Sequence, residues 1–191
     1  PDTEHQSLLR IEREIERMND LIDQVLTLLR LEQNSQSPSI EAYDLSDLLY
    51  KLTQDAQFET QSKDQIHLQQ PEKNPLTGQP ELVSRAVENI LRNAIRYTPD
   101  DGRVFLQVDM HKDTVVIRIE DEGEGVPEDS LKHLFEPFYR VEASRNQQSG
   151  GYGVGMAIAE QAIRAQGGRI EASNRSSGGL RVDITLPKTS T

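Results

Sequence analysis

A chain of 191 residues is long enough for one ordinary domain with a proper core and a smaller appended element. With no cysteine it has no disulfides, zinc-thiolate sites or thiol nucleophile, and its four histidines, His5, His67, His111 and His133, are too scattered to suggest a metal cluster. With 32 acidic residues against 21 basic ones, a formal charge of -11 and a pI near 4.8, it repels a phosphate backbone. Nucleic acid is therefore disfavoured as a general partner, and any phosphate binding has to be local.

The chain begins at Pro1 without a basic leader and apolar core, so a piece of a longer protein is expected. Nothing approaches the ~20 consecutive apolar residues of a membrane span, so the expectation for this piece is a soluble one without membrane contact.

Leu8, Ile11, Ile15, Met18, Ile22, Val25 and Leu29 alternate steps of three and four, which predicts one long helix. Leu21, Leu26 and Leu28 widen its apolar face in the second half, suiting a helical bundle better than a free-standing coiled coil. The polar run from Gln33 to Pro38 breaks the periodicity. The expected organisation is a helix over 1–33, a linker over 34–39 and a domain over 40–191.

A short extended piece around Ile40 to Tyr43 comes next, and Asp44 then caps a helix with Leu45, Leu48, Leu49, Leu52 and Ala56 on its apolar face. Ile66 to Gln69 reads as a strand. Pro80 is placed as a first-turn proline, predicting a helix to about Tyr97, closed by Thr98-Pro99 and the turn Asp100-Asp101-Gly102. The alternating runs Val104/Leu106/Val108 and Val115/Ile117/Ile119 predict an antiparallel hairpin. Ile170 to Ser173 and Leu180/Val182/Ile184/Leu186 predict another pair across Ser176 to Gly179. Hairpins force antiparallel neighbours, so the expected fold class is an α+β two-layer sandwich, a mixed sheet with helices on one face.

On the helix after Pro80, residues advance by about 100°, so Asn89, Asn93, Arg96 and Tyr97 share one stripe while Val83, Val87, Ile90 and Ala94 share another. Two amides four residues apart offer neutral oxygens to a hydrated cation such as magnesium, Arg96 is suited to its phosphates, and Tyr97 offers a flat ring to a base. A plain amphipathic helix with a solvated face shows the same pattern. The second strand ends in Asp121-Glu122-Gly123-Glu124-Gly125, where Asp121 alternates onto the face of Ile117 and Ile119 and points inward. A buried carboxylate calls for donors, and the exocyclic amine of adenine is one. A simple strand-ending turn reads identically. Gly150 to Gly155 opens into an apolar helix, a place attractive to phosphate, although no Walker lysine follows and the polar stretch Glu142 to Ser149 before it reads as a mobile lid.

In this order and spacing, ENILRNAIRYTP (88–99), DEGEG (121–125), FEPFYR (135–140) and GGYGVG (150–155) resemble the N, G1, F and G2 boxes of the sensor histidine kinase catalytic domain. The resemblance runs from Ile40 to Pro187, with wording nearest to Cpx-type envelope-stress sensors. It implies the Bergerat ATP-binding sandwich of gyrase, MutL and Hsp90, and it likens the first helix to the second helix of the dimerisation and histidine phosphotransfer domain. It further implies ATP and Mg2+ as ligands, with Asn89 and Asn93 at the metal, Arg96 on phosphate, Tyr97 facing adenine and Asp121 accepting the adenine amine. Gly123, Gly125, Gly151, Gly153 and Gly155 match the loop glycines, Arg140 and Arg145 border the lid, and Phe135 and Phe138 resemble hydrophobic pins. Tyr152, Val154 and Met156 depart from the usual Thr and Leu of the G2 box.

The implied partners are a response-regulator receiver domain and a second copy of the parent protein, a bacterial inner-membrane sensor with this part in the cytoplasm. The phosphoacceptor of the family lies in an H box, a context that none of the four histidines has. Related ATPases carry a general-base glutamate where this chain has Asn89, and Glu88 is about 100° around the helix. An anti-sigma-type serine kinase uses a similar domain without a histidine helix, and an interaction module could bind nucleotide without turning it over.

Overall fold

The structure is a computed structural model that describes residues 39–60, 65–141 and 151–189, together with helical residues 11, 15, 18, 19, 21–29 and 31 near the N-terminus. The elements run β1 (Glu41–Asp44), α1 (Leu45–Thr60), β2 (Ile66–Gln69), β3 (Pro75–Gly78), α2 (Pro80–Tyr97), β4 (Val104–Met110) and β5 (Thr114–Asp121). They continue with α3 (Glu128–Leu131), α4 (Gly155–Arg164), β6 (Arg169–Asn174) and β7 (Leu180–Pro187).

The main sheet has the order β2-β4-β5-β7-β6. It is mixed, because β2 runs parallel to β4 while the other neighbours are antiparallel. Strand alternation sends Val104, Leu106, Val115, Ile117, Ile119, Val182 and Ile184 into one core with α1, α2 and α4. The opposite face is polar, and there Arg118 pairs with Asp183 at 2.9 Å. A side chain as fully buried as Ile117 contributes about 2–5 kcal/mol relative to alanine.

Helix boundaries follow local chemistry. Asp44 Oδ1 accepts the Ser46 amide at 2.9 Å and caps α1. Pro80 opens α2, and at its end the Thr98 amide and hydroxyl both donate to the Ala94 carbonyl, at 3.0 and 2.8 Å, before Pro99 bars continuation.

Two elements carry little sequence signal. β3 holds a proline and a glycine in four residues; β1 pairs with it antiparallel, from Glu41 opposite Gly78 to Asp44 opposite Pro75, and the Thr77 amide donates to the Lys188 carbonyl at 3.1 Å. The four-residue α3 follows Pro127.

The N-terminal helix also touches the domain. Leu28 is buried against Val154, Ala157 and Ile158 around the start of α4, with Leu21, Leu31 and Tyr152 partly buried beside it. Leu21 and Leu28 of the widened apolar face thus pack on the domain, while Leu26 and the seam of Ile11, Ile15, Met18, Ile22 and Leu29 stay exposed. Among the described residues no helix is long and apolar enough to cross a membrane.

Candidate functional site

A cavity of about 780 Å³ opens between α2, the loop after β5 and the start of α4. From α2 it receives Asn89, Asn93, Arg96 and Tyr97, which helical spacing had put in one stripe. The β5 loop contributes Asp121, Gly123 and Gly125, and the far wall holds Arg140, Gly151, Gly153 and Gly155. Arg145 and the stretch from Glu142 to Ser149 lie outside the described residues.

Asp121 is 4% exposed, and one oxygen is already spent: Oδ1 accepts the amides of Gly123 at 2.9 Å and Leu180 at 3.1 Å. Its other oxygen, Oδ2, is left as the acceptor available to a ligand in the cavity it lines. Burial pushes this carboxyl above its usual range, and the two amide bonds and the nearby Arg175 charge oppose that rise only in part.

The wall behind Asp121 is the β6–β7 hairpin, which sequence reasoning did not connect with the site. Asn174 grips the β5 loop from both sides, since its Oδ1 accepts the Val126 amide at 3.0 Å and its Nδ2 donates to the Val126 carbonyl at 2.7 Å. Arg175 Nη1 donates to the Asp121 carbonyl. No pattern in Asn174-Arg175 announces this, because a hairpin turn needs no such residues.

On α2, Asn89 Nδ2 donates to the Arg85 carbonyl at 2.8 Å, which turns Oδ1 toward Gly155. A Cβ at Gly155 would lie 2.8 Å from that oxygen, so the absence of a side chain lets helix and loop meet. Gly151 covers Arg96 in the same way, a Cβ there falling within 2.1 Å of Nη1. Arg92 and Gln24 also line the cavity. The spacing Arg85, Asn89, Arg92, Arg96 was available to find Arg92, whereas Gln24 arrives only through docking of the N-terminal helix.

The two phenylalanines differ. Phe135 packs partly buried against the core, as a pin should. Phe138 is 60% exposed, so its ring is no pin among the described residues. Its backbone is what is held: it adopts φ 67°, and its amide donates to the Gly153 carbonyl at 2.8 Å.

Residues 78–190 match the family described as histidine kinase-, DNA gyrase B-, and HSP90-like ATPase. The chain belongs to this family. Over 186 residues it is 36% identical to the sensor histidine kinase CpxA of Escherichia coli K12, covering 96% of this chain and 40% of CpxA. It is 31% identical over 178 residues to the sensor protein kinase WalK of Staphylococcus aureus, covering 91% of this chain and 42% of WalK. Among solved structures, the ATP-binding domain of PrrB from Mycobacterium tuberculosis superposes with a TM-score of 0.63 at 26% identity, covering 79% of this chain and 98% of that one. The chain spans about 40% of the length of the curated relatives it matches. It is a catalytic domain of the sensor histidine kinase type, with the ATP-binding fold of the family and its helices on one face of a mixed sheet.

Proposed function

We propose that the cavity holds Mg-ATP with adenine at Asp121 and the triphosphate toward Asn89, Asn93 and Arg96, for transfer of the γ-phosphoryl group to a histidine on a separate helix. The observation that carries this reading is Asp121, buried, with Oδ1 committed to two amides and Oδ2 left for a donor. An adenine amine meets Oδ2 favourably, whereas the carbonyl of guanine there is repelled.

The donor set fits magnesium. Asn89 has its amide nitrogen tied to Arg85, so the group left to face Gly155 is a neutral oxygen, and Asn93 reaches the same cavity one turn later. Bound there, the ion screens the charge of the phosphates during phosphoryl transfer. Arg96 and Arg140 add positive charge along the wall. Asp121 and the loop clamped by Asn174 orient the base, and the α4 start offers amides to phosphate.

In the parent protein the exposed seam of the first helix pairs with other helices of a homodimeric phosphotransfer domain, over 1–33, joined through 34–39 to the catalytic domain at 40–191. The phosphohistidine then passes its group to an aspartate of a response-regulator receiver domain, on the cytoplasmic side of an inner-membrane sensor. Hydrolysis is the weaker reading. Asn89 stands where an ATPase has its glutamate, and Glu88 accepts from the Ser84 hydroxyl at 3.0 Å and is not among the described residues lining the cavity.

Incubation with γ-labelled ATP, magnesium and a separate histidine-bearing helix tests the proposal. Acid-labile label on the supplied helix is the expected result. Free phosphate without labelled helix would instead establish the hydrolase, and bound ATP with neither product a binding module.

A further inference from the structure

Charge is distributed unevenly along the cavity. Among the described residues its carboxylates, Asp121, Glu122 and Glu124, all belong to β5 and the loop behind it, at the end assigned to the base. The arginines of α2 stand on the opposite wall, and among them Arg92 differs from its neighbours. Arg85 Nη1 reaches Thr27 Oγ1 at 3.4 Å, and Arg96 lies against Gly151. Arg92 is exposed and lines the cavity, and among the described residues it has no hydrogen-bond or ion-pair partner. Glu88, one turn earlier and placed for an i,i+4 pair, is bonded to Ser84 instead.

The position of Arg92 along the cavity follows from the helix. Arg85, Asn89, Arg92 and Arg96 fall within about 60° of one another around α2. Arg85 on this stripe touches the N-terminal helix, and Gln24, one turn earlier on that helix, lines the same cavity as Arg92. Arg92 thus stands beside the metal-site amides and toward the first helix, on the side away from Asp121.

We propose that Arg92 is the residue by which this site distinguishes a nucleoside triphosphate from a diphosphate, through contact with the terminal phosphate. The proposal rests on the placement of ATP given above. A guanidinium without a protein partner keeps its donors for phosphate, and its direct hydrogen bonds to the terminal group form only where the third phosphate is present. Being solvent-exposed, it contributes less than a buried pair does. Loss of the γ-phosphoryl group after transfer removes this contact and favours release of the diphosphate.

The test is calorimetric titration of the whole chain with Mg-ATP, Mg-ADP and adenosine, for wild type, Arg92→Gln and Arg92→Lys. The expected result is a preference for ATP over ADP in the wild type that falls about fivefold in R92Q and is largely kept in R92K, with ADP and adenosine affinities and the thermal midpoint unchanged. An equal loss for all three ligands, or an unchanged ATP-to-ADP ratio, would overturn the proposal while leaving the cavity assignment intact. A wild type that binds ATP and ADP equally overturns it as well. Failure of the wild type to bind any of the three would overturn the cavity assignment, and the role of Arg92 with it.

Discussion

The Leu180 amide donates to Asp121 Oδ1 over 3.1 Å, joining residues 59 apart in sequence at the wall of the cavity. Together with the Gly123 amide it occupies Oδ1 and leaves Oδ2 as the oxygen without a protein donor among the described residues.

Asp121→Asn is expected to lower ATP affinity on the order of a hundredfold, because the new amide oxygen serves the Gly123 and Leu180 amides and its NH2 group faces the adenine amine. The wild type adds a pH signature. Burial raises the Asp121 pKa above its ordinary 3.8, so the folded apo protein takes up this proton before the unfolded chain does as pH falls. The cost of the buried charge is thus present above the raised pKa and relieved below it, whereas adenine binding does the reverse, since a proton on Oδ2 replaces the acceptor. Calorimetry across acidic pH should show affinity falling from above the usual carboxylate range, a fall absent from the variant. Equal affinities for wild type and D121N would end the assignment.

Asn93→Ala separates the two ends of the cavity. Affinity for Mg-ATP is expected to fall about tenfold or more, while adenosine, which meets only the base end, binds as before. Parallel losses for both ligands would place Asn93 in the scaffold rather than at the metal.

Gly178 and Gly179 form a matched pair behind Asp121. Both have positive φ, 94° and 95°, yet a Cβ at Gly179 would lie 1.9 Å from the Asp121 carbonyl oxygen, while at Gly178 the nearest atom is 3.8 Å away. Gly178→Ala is expected to cost about 1 kcal/mol in urea unfolding, from backbone strain alone. Gly179→Ala should cost at least about 2 kcal/mol and also weaken nucleotide binding, because the β5 end has to move. Comparable costs at the two positions would show that the contact with Asp121 is unimportant.

The chain alone with Mg-ATP is expected not to label itself on histidine. His5 is followed by Gln-Ser, His67 by Leu-Gln, His111 by Lys-Asp and His133 by Leu-Phe, so none is followed directly by the acid that serves as general base. The His133 ring is instead engaged with Glu136 at 2.7 Å. Acid-labile label that disappears on mutation of any one of the four would contradict this expectation.

Local sterics and period made most of the fold readable from the residues. The apolar stripe of α2, its opening at Pro80 and its stop before Pro99, the alternation through β4 and β5, and the inward direction of Asp121 are all consequences of bonds within a few positions. The same regularity put Asn89, Asn93, Arg96 and Tyr97 on one face before any cavity was visible. Only the tertiary structure decided what stands behind Asp121, how Asn174 grips Val126, where Leu28 docks, and that Phe138 is held by its backbone rather than its ring. β3 likewise is held by β1 on one side and by the Lys188 carbonyl, which accepts the Thr77 amide at 3.1 Å, on the other. The physical reason is that these contacts run through backbone amides and carbonyls, or through chain segments far apart in sequence. Every residue but proline offers the amide that Leu180 gives to Asp121, so its identity carries no trace of the bond, and only the return of β7 alongside β5 brings donor and acceptor together.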